Sequence, residues 1–309
     1  MLEKLRGKRL LILGGISSMV EVVERAHELG VVVYVTDYLL DSPAKRIADK
    51  AFMISVTDVD AVVDLIKKEN IDGVYTGNID LVLPYYAMIC DKAHLPCYGT
   101  LKNFHSTMNK TCFKKMCRNY NIPVVPEFTE DLIRKGEVEF PVIVKPSDSS
   151  GGCGISVCWD MQQLHSGIKK ALQFSKCRKY IVEKFMQGND VQIYYYFQDG
   201  DPIFVTMCDR YLFKQNTLAT PLPLAYIFPS VYTTNFINNV NNLYCEMFKK
   251  EKFGNGTLFL QAVVENGVPY VYETGYRTGG NREQYLISET CGIFSVDMLI
   301  CYAFTGQES

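Results

Sequence analysis

The first hundred residues constrain the fold most, because short continuous apolar runs alternate there with segments of helical periodicity. Arg9 to Leu13 is apolar after its arginine and closes on Gly14-Gly15. Met19 to Leu29 then carries apolar residues at helical spacing, with Glu21, Glu24 and Arg25 between them. Val31 to Thr36 is a β-branched run ending in Asp37, and Ala51 to Val56 repeats the strand signal. Asp58 opens a helix with Val62, Val63, Leu65 and Ile66 on one face. A strand at Gly73 to Thr76, a helix near Leu81 to Cys90 and a short strand around Pro96 to Tyr98 complete the series. Strands apolar at every position are buried on both faces, so this pattern predicts a parallel, doubly wound α/β sheet. Ligands of such sheets sit beyond the strand C-terminal ends. That rule singles out Gly14, Gly15, Asp37 and the turn Gly77-Asn78-Ile79-Asp80. Gly14-Gly15 with Asp37 about twenty residues on matches a dinucleotide fingerprint in part, but its third glycine is lacking.

Beyond Gly99 the rhythm is that of an α+β chain. Asn109 to Tyr120 reads as a helix rich in Lys and Cys, stopped at Ile122-Pro123. Phe140 to Lys145 and Ile155 to Cys158 are strands around a Gly/Ser loop, hence an antiparallel hairpin. Asp160 to Phe174 is a helix and Tyr180 to Phe185 a strand. Asp190 to Gln198 and Asp201 to Met207 make a second hairpin, turned by Asp199-Gly200-Asp201-Pro202. The proline-spotted segment Tyr211 to Ser230 shows no period and is expected to be a substrate-facing loop, with Arg210, Lys214, Tyr276 and Arg282 beside the acceptor pocket. A helix at Asn235 to Lys250, a hairpin at Thr257 to Glu273 turned by Asn266-Gly267, and helical segments from Asn281 follow. The boundary between the two parts is expected near residue 106.

Composition narrows the partners. A net charge of -2, from 32 Lys+Arg and 34 Asp+Glu, leaves no basic field for nucleic acid or anionic lipid. No run approaches the ~18 apolar residues that cross a bilayer. Leu10 to Leu13, after Lys4, Arg6, Lys8 and Arg9, is too short for a signal core. The chain is therefore expected to be cytoplasmic, with neither nucleic acid nor membrane as partner. The 11 cysteines include no C-x-x-C, and His27, His94, His105 and His165 lie far apart, which argues against zinc and against a disulfide framework.

Three motifs carry chemistry. In Ser149-Ser150-Gly151-Gly152-Cys153-Gly154 successive backbone N–H groups can curl around an anion, and Lys145 ends the preceding strand within reach of the same phosphates. No Gly-Lys-Ser/Thr follows, so this is not a Walker A loop. Alone, it is equally a hairpin tip beside a solvated lysine. Tyr180 to Met186 runs into the turn Gln187-Gly188-Asn189-Asp190. A strand end of that kind can offer backbone N–H and C=O to an adenine edge, with Asp190 accepting from ribose hydroxyls, or it can be an edge strand with solvated charges. Glu273 ends the strand Tyr270-Val271-Tyr272 opposite Gln261, where the pair can hold Mg²⁺ on phosphates, and Arg277 can clamp a carboxylate. In isolation that arginine is an ordinary surface ion pair.

Taken in order, these features resemble the ATP-grasp superfamily, in particular the branch similar to carbamoyl-phosphate synthase large chain and biotin carboxylase. The residues that carry the likeness are Thr107-Met108-Asn109-Lys110 ahead of Ile122-Pro123-Val124-Val125-Pro126, Pro141 to Pro146 with Ser149 to Gly154, Ile181 to Phe185 with Gly188 and Asp190, and Val271-Tyr272-Glu273 with Arg277. The resemblance implies an ATP-grasp domain over 107–309, with a flap-bearing lobe at about 125–185 and a C-terminal lobe at about 186–309, preceded by a Rossmann-like pre-ATP-grasp domain over 1–106. It implies that Lys110 and Lys145 contact ATP phosphates under Ser149, Ser150, Gly151, Gly152 and Gly154. The backbone of Lys184, Phe185 and Met186 would hold adenine with Glu183 beside it, Asp190 the ribose, Gln261 and Glu273 the metal, and Arg277 the acyl group. By that likeness the chain is a carbon–nitrogen ligase using ATP and Mg²⁺ (with Mn²⁺ as an alternative ion), acting on small-molecule carboxylate and amine substrates, commonly as a homodimer. Two departures bear on activity. The family pattern Glu-x-Asn-Pro-Arg reads here Glu273-Thr274-Gly275-Tyr276-Arg277, and Gln261 stands where an acid is usual. One metal ligand is thereby missing unless Glu265, Glu283 or Asp209 compensates. The alternative reading is a catalytically weak or inactive ATP-binding module.

Overall fold

The computed structural model describes residues 2–148, 152–213 and 222–307. Strands β1 (Arg9–Leu13), β2 (Val32–Thr36), β3 (Lys50–Phe52) and β4 (Gly73–Thr76) form a parallel sheet in the order β3-β2-β1-β4. Between them run helices α1 (Ser18–Glu28) and α2 (Val59–Glu69), and α3 (Leu83–Ala93) follows β4. Asp58 caps α2 as expected, accepting from the Ala61 N–H at 3.2 Å. The edge strand β3 is shorter than its apolar run, because it pairs only with Tyr34, Val35 and Thr36 of β2. No strand forms at Pro96 to Tyr98. The Tyr98 carbonyl accepts instead from the Asn255 N–H and the Tyr276 hydroxyl, and its ring packs edge-on against Phe104 and Tyr276.

Residue 106 lies inside a helix that periodicity did not reveal, α4 (Leu101–Met108), started by a capping box between Thr100 and Asn103. Asn109 then caps α5 (Lys110–Asn119), and α6 (Glu130–Lys135) follows. Strands β5 (Val142–Pro146), β6 (Ser156–Cys158) and β7 (Tyr180–Lys184) make an antiparallel sheet ordered β6-β5-β7, backed by α7 (Met161–Phe174). This lobe has its own small core of Ile133, Val142, Val144, Cys158, Leu164, Ala171 and Val182.

The third sheet, ordered β10-β9-β8-β11-β12, contains β8 (Asn189–Gln198), β9 (Asp201–Phe213), β10 (Leu222–Ile227), β11 (Gly256–Glu265) and β12 (Val268–Gly275). Within the expected loop from Tyr211 to Ser230, Tyr211 to Phe213 and Leu222 to Ile227 belong instead to the paired strands β9 and β10. Its prolines concealed the strand, yet Pro223 lies in β10 at the edge of the sheet, where proline is tolerated. Lys214 lies outside the described residues. The helix expected over Asn235 to Lys250 is two, α8 (Thr233–Asn239) and α9 (Asn241–Lys250), parted at Val240. Helices α10 (Glu283–Cys291) and α11 (Ser295–Thr305) end the fold. A side chain at Gly73 of β4 would strike the Ala303 carbonyl, so α11 packs hard against the parallel sheet. One continuous apolar core accordingly runs from that sheet through α11 into the five-stranded sheet. Among the described residues no single helix is long and apolar enough to cross a membrane.

Candidate nucleotide site

A cleft enclosing about 1170 Å³, its mouth included, opens between the three-stranded and five-stranded sheets. Val125, Ile143, Ile155, Leu212 and Val263 give it apolar walls of the kind a planar ring fills. Around them stand Lys110, Lys145, Gly152, Glu183, Lys184, Phe185, Met186, Asp190, Gln261 and Glu273, all expected from sequence. Ser149, Ser150 and Gly151 lie outside the described residues. Gly154 is not part of the lining: a side chain there would meet Phe174 and Pro146, so this glycine seats the hairpin on α7.

The hinge is built by the Pro123 to Phe128 segment, which bridges β12 and β7 through Val125 N–H to Val271 O, Lys184 N–H to Pro126 O and Phe128 N–H to Val182 O. The Phe185 N–H donates to Pro141 O. With Lys184 and Phe185 committed, Met186 is the hinge position whose N–H has no partner among the described residues.

Glu183 faces two lysines. Its buried carboxylate lies 2.7 Å from Lys145 Nζ and in contact with Lys114 Nζ. Lys114 was not anticipated, although its signal is present: four residues after Lys110, it shares the buried face of α5 with Phe113 and Cys117. Glu127, 3.3 Å from Lys114 and 2.6 Å from Arg118, completes a line of alternating charge from the surface to the cleft: Arg118, Glu127, Lys114, Glu183, Lys145. Burial pulls Lys114 down to about 8, against the pull of Glu127. Burial, then the Lys114 and Lys110 ammoniums, hold Lys145 well below the ordinary lysine range.

At the phosphate end, Lys110 opens α5, where the helix dipole adds to its positive charge, and its Nζ is 3.4 Å from Glu273 Oε1. Burial would raise the Glu273 carboxyl, but Lys110 and Lys145 outweigh it and hold it below the usual range. Gln261 pairs with Glu273 across the strands and donates its amide to Gln192 at 3.3 Å. Gly275 offers no ligand, and a side chain there would run into the Phe259 ring at 2.6 Å. The compensating acids are engaged elsewhere: Glu265 faces Lys184, Asp209 accepts from Ser230, and Glu283 accepts from Gln192 and Tyr226. Among the described residues no three His, Cys, Asp or Glu side chains cluster as metal ligands. This donor set fits Mg²⁺ brought in largely by a ligand's phosphates, and does not fit an ion held by protein alone.

Asp190 lines the cleft, but Arg210 Nη1 donates to its Oδ1 at 2.7 Å and the Tyr272 hydroxyl to its Oδ2 at 2.8 Å. Arg277 is not on the cleft wall. Its Nε and Nη2 donate to the two oxygens of Asp80 at 2.6 and 2.7 Å, Nη1 donates to Thr278 O, and the guanidinium lies over Phe259. Two features singled out separately, Asp80 at the end of the parallel sheet and Arg277 after β12, thus meet each other. The Asp37 oxygens accept from the Gly15 and Leu39 N–H groups of its own loops.

Residues 103–220 match the family described as Carbamoyl-phosphate synthase L chain, ATP binding domain. A formate-dependent phosphoribosylglycinamide formyltransferase of Sulfurisphaera tokodaii is 27% identical over 191 residues, 58% of this chain and 47% of that protein. The carbamoyl phosphate synthase large chain of the same organism is 28% identical over 156 residues, 46% of this chain and 15% of that one. The chain therefore spans less than half the length of either relative. Among solved structures, the biotin carboxylase domain of Hydrogenobacter thermophilus 2-oxoglutarate carboxylase, in complex with MgADP and bicarbonate, superposes with a TM-score of 0.82 at 19% identity, over 98% of this chain and 70% of that one. In fold, matched segment and relatives the chain resembles the ATP-grasp superfamily, in particular the branch that includes the carbamoyl-phosphate synthase large chain and biotin carboxylase.

Proposed function

We propose that the chain binds ATP in this cleft and uses it to activate a small-molecule carboxylate as an acyl phosphate, which an amine then attacks. The observation that carries the reading is the convergence on one apolar slot of a free hinge donor at Met186 and of Lys110 and Lys145 at the far end. The slot and Met186 would hold the base. Lys110 and Lys145, now facing Glu273 and Glu183, would exchange those carboxylates for phosphate oxygens. Gly152 and Cys153 stand where the hairpin can cover the phosphates and exclude water. Phosphoryl transfer asks mainly for such positioning and charge neutralisation, not for a protein nucleophile. Glu273 and Gln261 would hold Mg²⁺ with the phosphates, and the ion supplies further neutralisation of the triphosphate. Arg277 and Asp80 mark the side from which the acid substrate would enter.

The test is ADP formation across a panel of carboxylic acids and amines, with Lys145→Ala and Glu273→Gln as controls. Turnover lost in both variants supports the ligase. The one-carboxylate metal wall and the Arg277–Asp80 pair favour a second reading, a nucleotide-binding module, and ATP binding without turnover across the panel would select it.

A further inference from the structure

We propose that Lys114 is a positioning residue of this cleft: it holds the charge of Glu183 while Lys145 leaves that carboxylate for a nucleotide's phosphates. The inference rests on the nucleotide reading above. Lys114 is not on the cleft wall, and its side chain is 1% exposed, so it acts through Glu183 and not on a ligand.

Backbone pairing sets the two acids that Lys114 serves side by side, because Glu127 and Glu183 are partners in an antiparallel bridge. Lys114 reaches between them from α5, and each carboxylate divides its oxygens between two cations. Glu183 gives Oε1 to Lys114 and Oε2 to Lys145 at 2.7 Å. Glu127 gives Oε1 to Lys114 at 3.3 Å and Oε2 to Arg118 at 2.6 Å. Lys145 lines the cleft, whereas the Glu183 side chain is only 2% exposed and pairs with no third cation among the described residues. Drawing Lys145 onto a phosphate therefore leaves Lys114 as the remaining counter-charge of a buried carboxylate. Without Lys114, the same move strands Glu183 beside the like charge of Glu127, and a buried charge without its partner is costly. The neighbouring cations of α5 are already engaged, Lys110 with Glu273 and Arg118 with Glu127. Lys114 thus sets how readily the cleft releases Lys145 to a ligand.

The experiment is calorimetric titration of full-chain variants with ATP and Mg²⁺, each variant first shown to be folded by circular dichroism. Lys114→Met is expected to weaken ATP binding at least about tenfold. Adding Glu183→Gln to it is expected to restore binding to within threefold of wild type or tighter, because no carboxylate is left to strand. Adding Glu127→Gln instead restores the same net charge but leaves Glu183 alone, and is expected to stay as weak as Lys114→Met. A smaller loss in the single variant, no recovery with Glu183→Gln, or equal recovery with Glu127→Gln each overturns the inference. Should Lys114→Met not fold by itself, Glu183→Gln with and without Lys114→Met decides. Affinities within threefold of each other support the role, since Lys114 has no task once the carboxylate is gone, and a wider gap overturns it. If folded wild-type protein binds no ATP, the nucleotide reading itself fails and this inference falls with it.

Discussion

Replacing Glu183 by glutamine removes one negative charge shared by two buried ammoniums. Glu183 is 1% exposed, with Lys145 Nζ at 2.7 Å on one oxygen and Lys114 against the other. In the variant Lys114 keeps Glu127 at 3.3 Å, but Lys145 loses its ion pair and is left with the face of Tyr272, 5.8 Å away, and the longer-range charges of Glu273 and Glu127. Stranding a buried charge by removing its partner costs about 3–5 kcal/mol. Because one of the two lysines keeps an acid, the expected loss lies near the low end, about 3 kcal/mol. Urea denaturation of wild type and Glu183→Gln at neutral pH measures it. Adding Lys145→Met to Glu183→Gln should restore most of the loss, since the stranded ammonium is then gone. A single variant within about 1 kcal/mol of wild type, or a double variant no better than the single, would refute the reasoning.

The same network sets a pH dependence. Lys114 sits near 8 in the fold against 10.5 unperturbed, so between those values the unfolded chain holds more protons and stability contributed by this group rises with pH. By about pH 9.5 the rise is about 2 kcal/mol, and it levels off beyond 10.5. The wild-type minus Lys114→Met difference isolates it, because buried thiols such as Cys117 and Cys208, pushed up to about 12, act in the opposite direction. Lys145→Ala should weaken ATP binding at least about tenfold, the worth of one charge-assisted bond, and so cut the stabilisation that ATP gives wild type in thermal melts by about 1.4 kcal/mol or more. Gly275→Asn, which restores the family residue, should destabilise by about 1–3 kcal/mol in urea through its clash with Phe259, and should not tighten Mg²⁺ binding.

What the sequence made legible follows from how local each signal is. The parallel sheet was readable because β1, β2 and β4 are apolar at nearly every position, and the Gly/Ser hairpin, hinge and β11–β12 turn have their signals within a few residues. Helix α4 was not, since Lys102, Asn103 and His105 interrupt its period and only the Thr100–Asn103 cap announces it. The β9–β10 edge was hidden by prolines that an edge strand tolerates. Pairings distant in the chain were invisible in principle. Nothing near Arg277 points to Asp80, 197 residues away, and nothing near Asp190 points to Arg210 and Tyr272 on other strands. Lys114 read as one more charge on a basic helix, and only tertiary burial turned it into the centre of the charged line.

The central claim is that the cleft between the β5–β7 and β8–β12 sheets is a nucleotide site, and a crystal structure with a non-hydrolysable ATP analogue and Mg²⁺ tests it most directly. The predicted result is a base within hydrogen-bond reach of the Met186 N–H, between Ile143 and Val263, with Lys110 and Lys145 about 3 Å from phosphate oxygens and released from Glu273 and Glu183. An empty cleft at saturating analogue, or an analogue seated at Gly14-Gly15 and Asp37 instead, would contradict it.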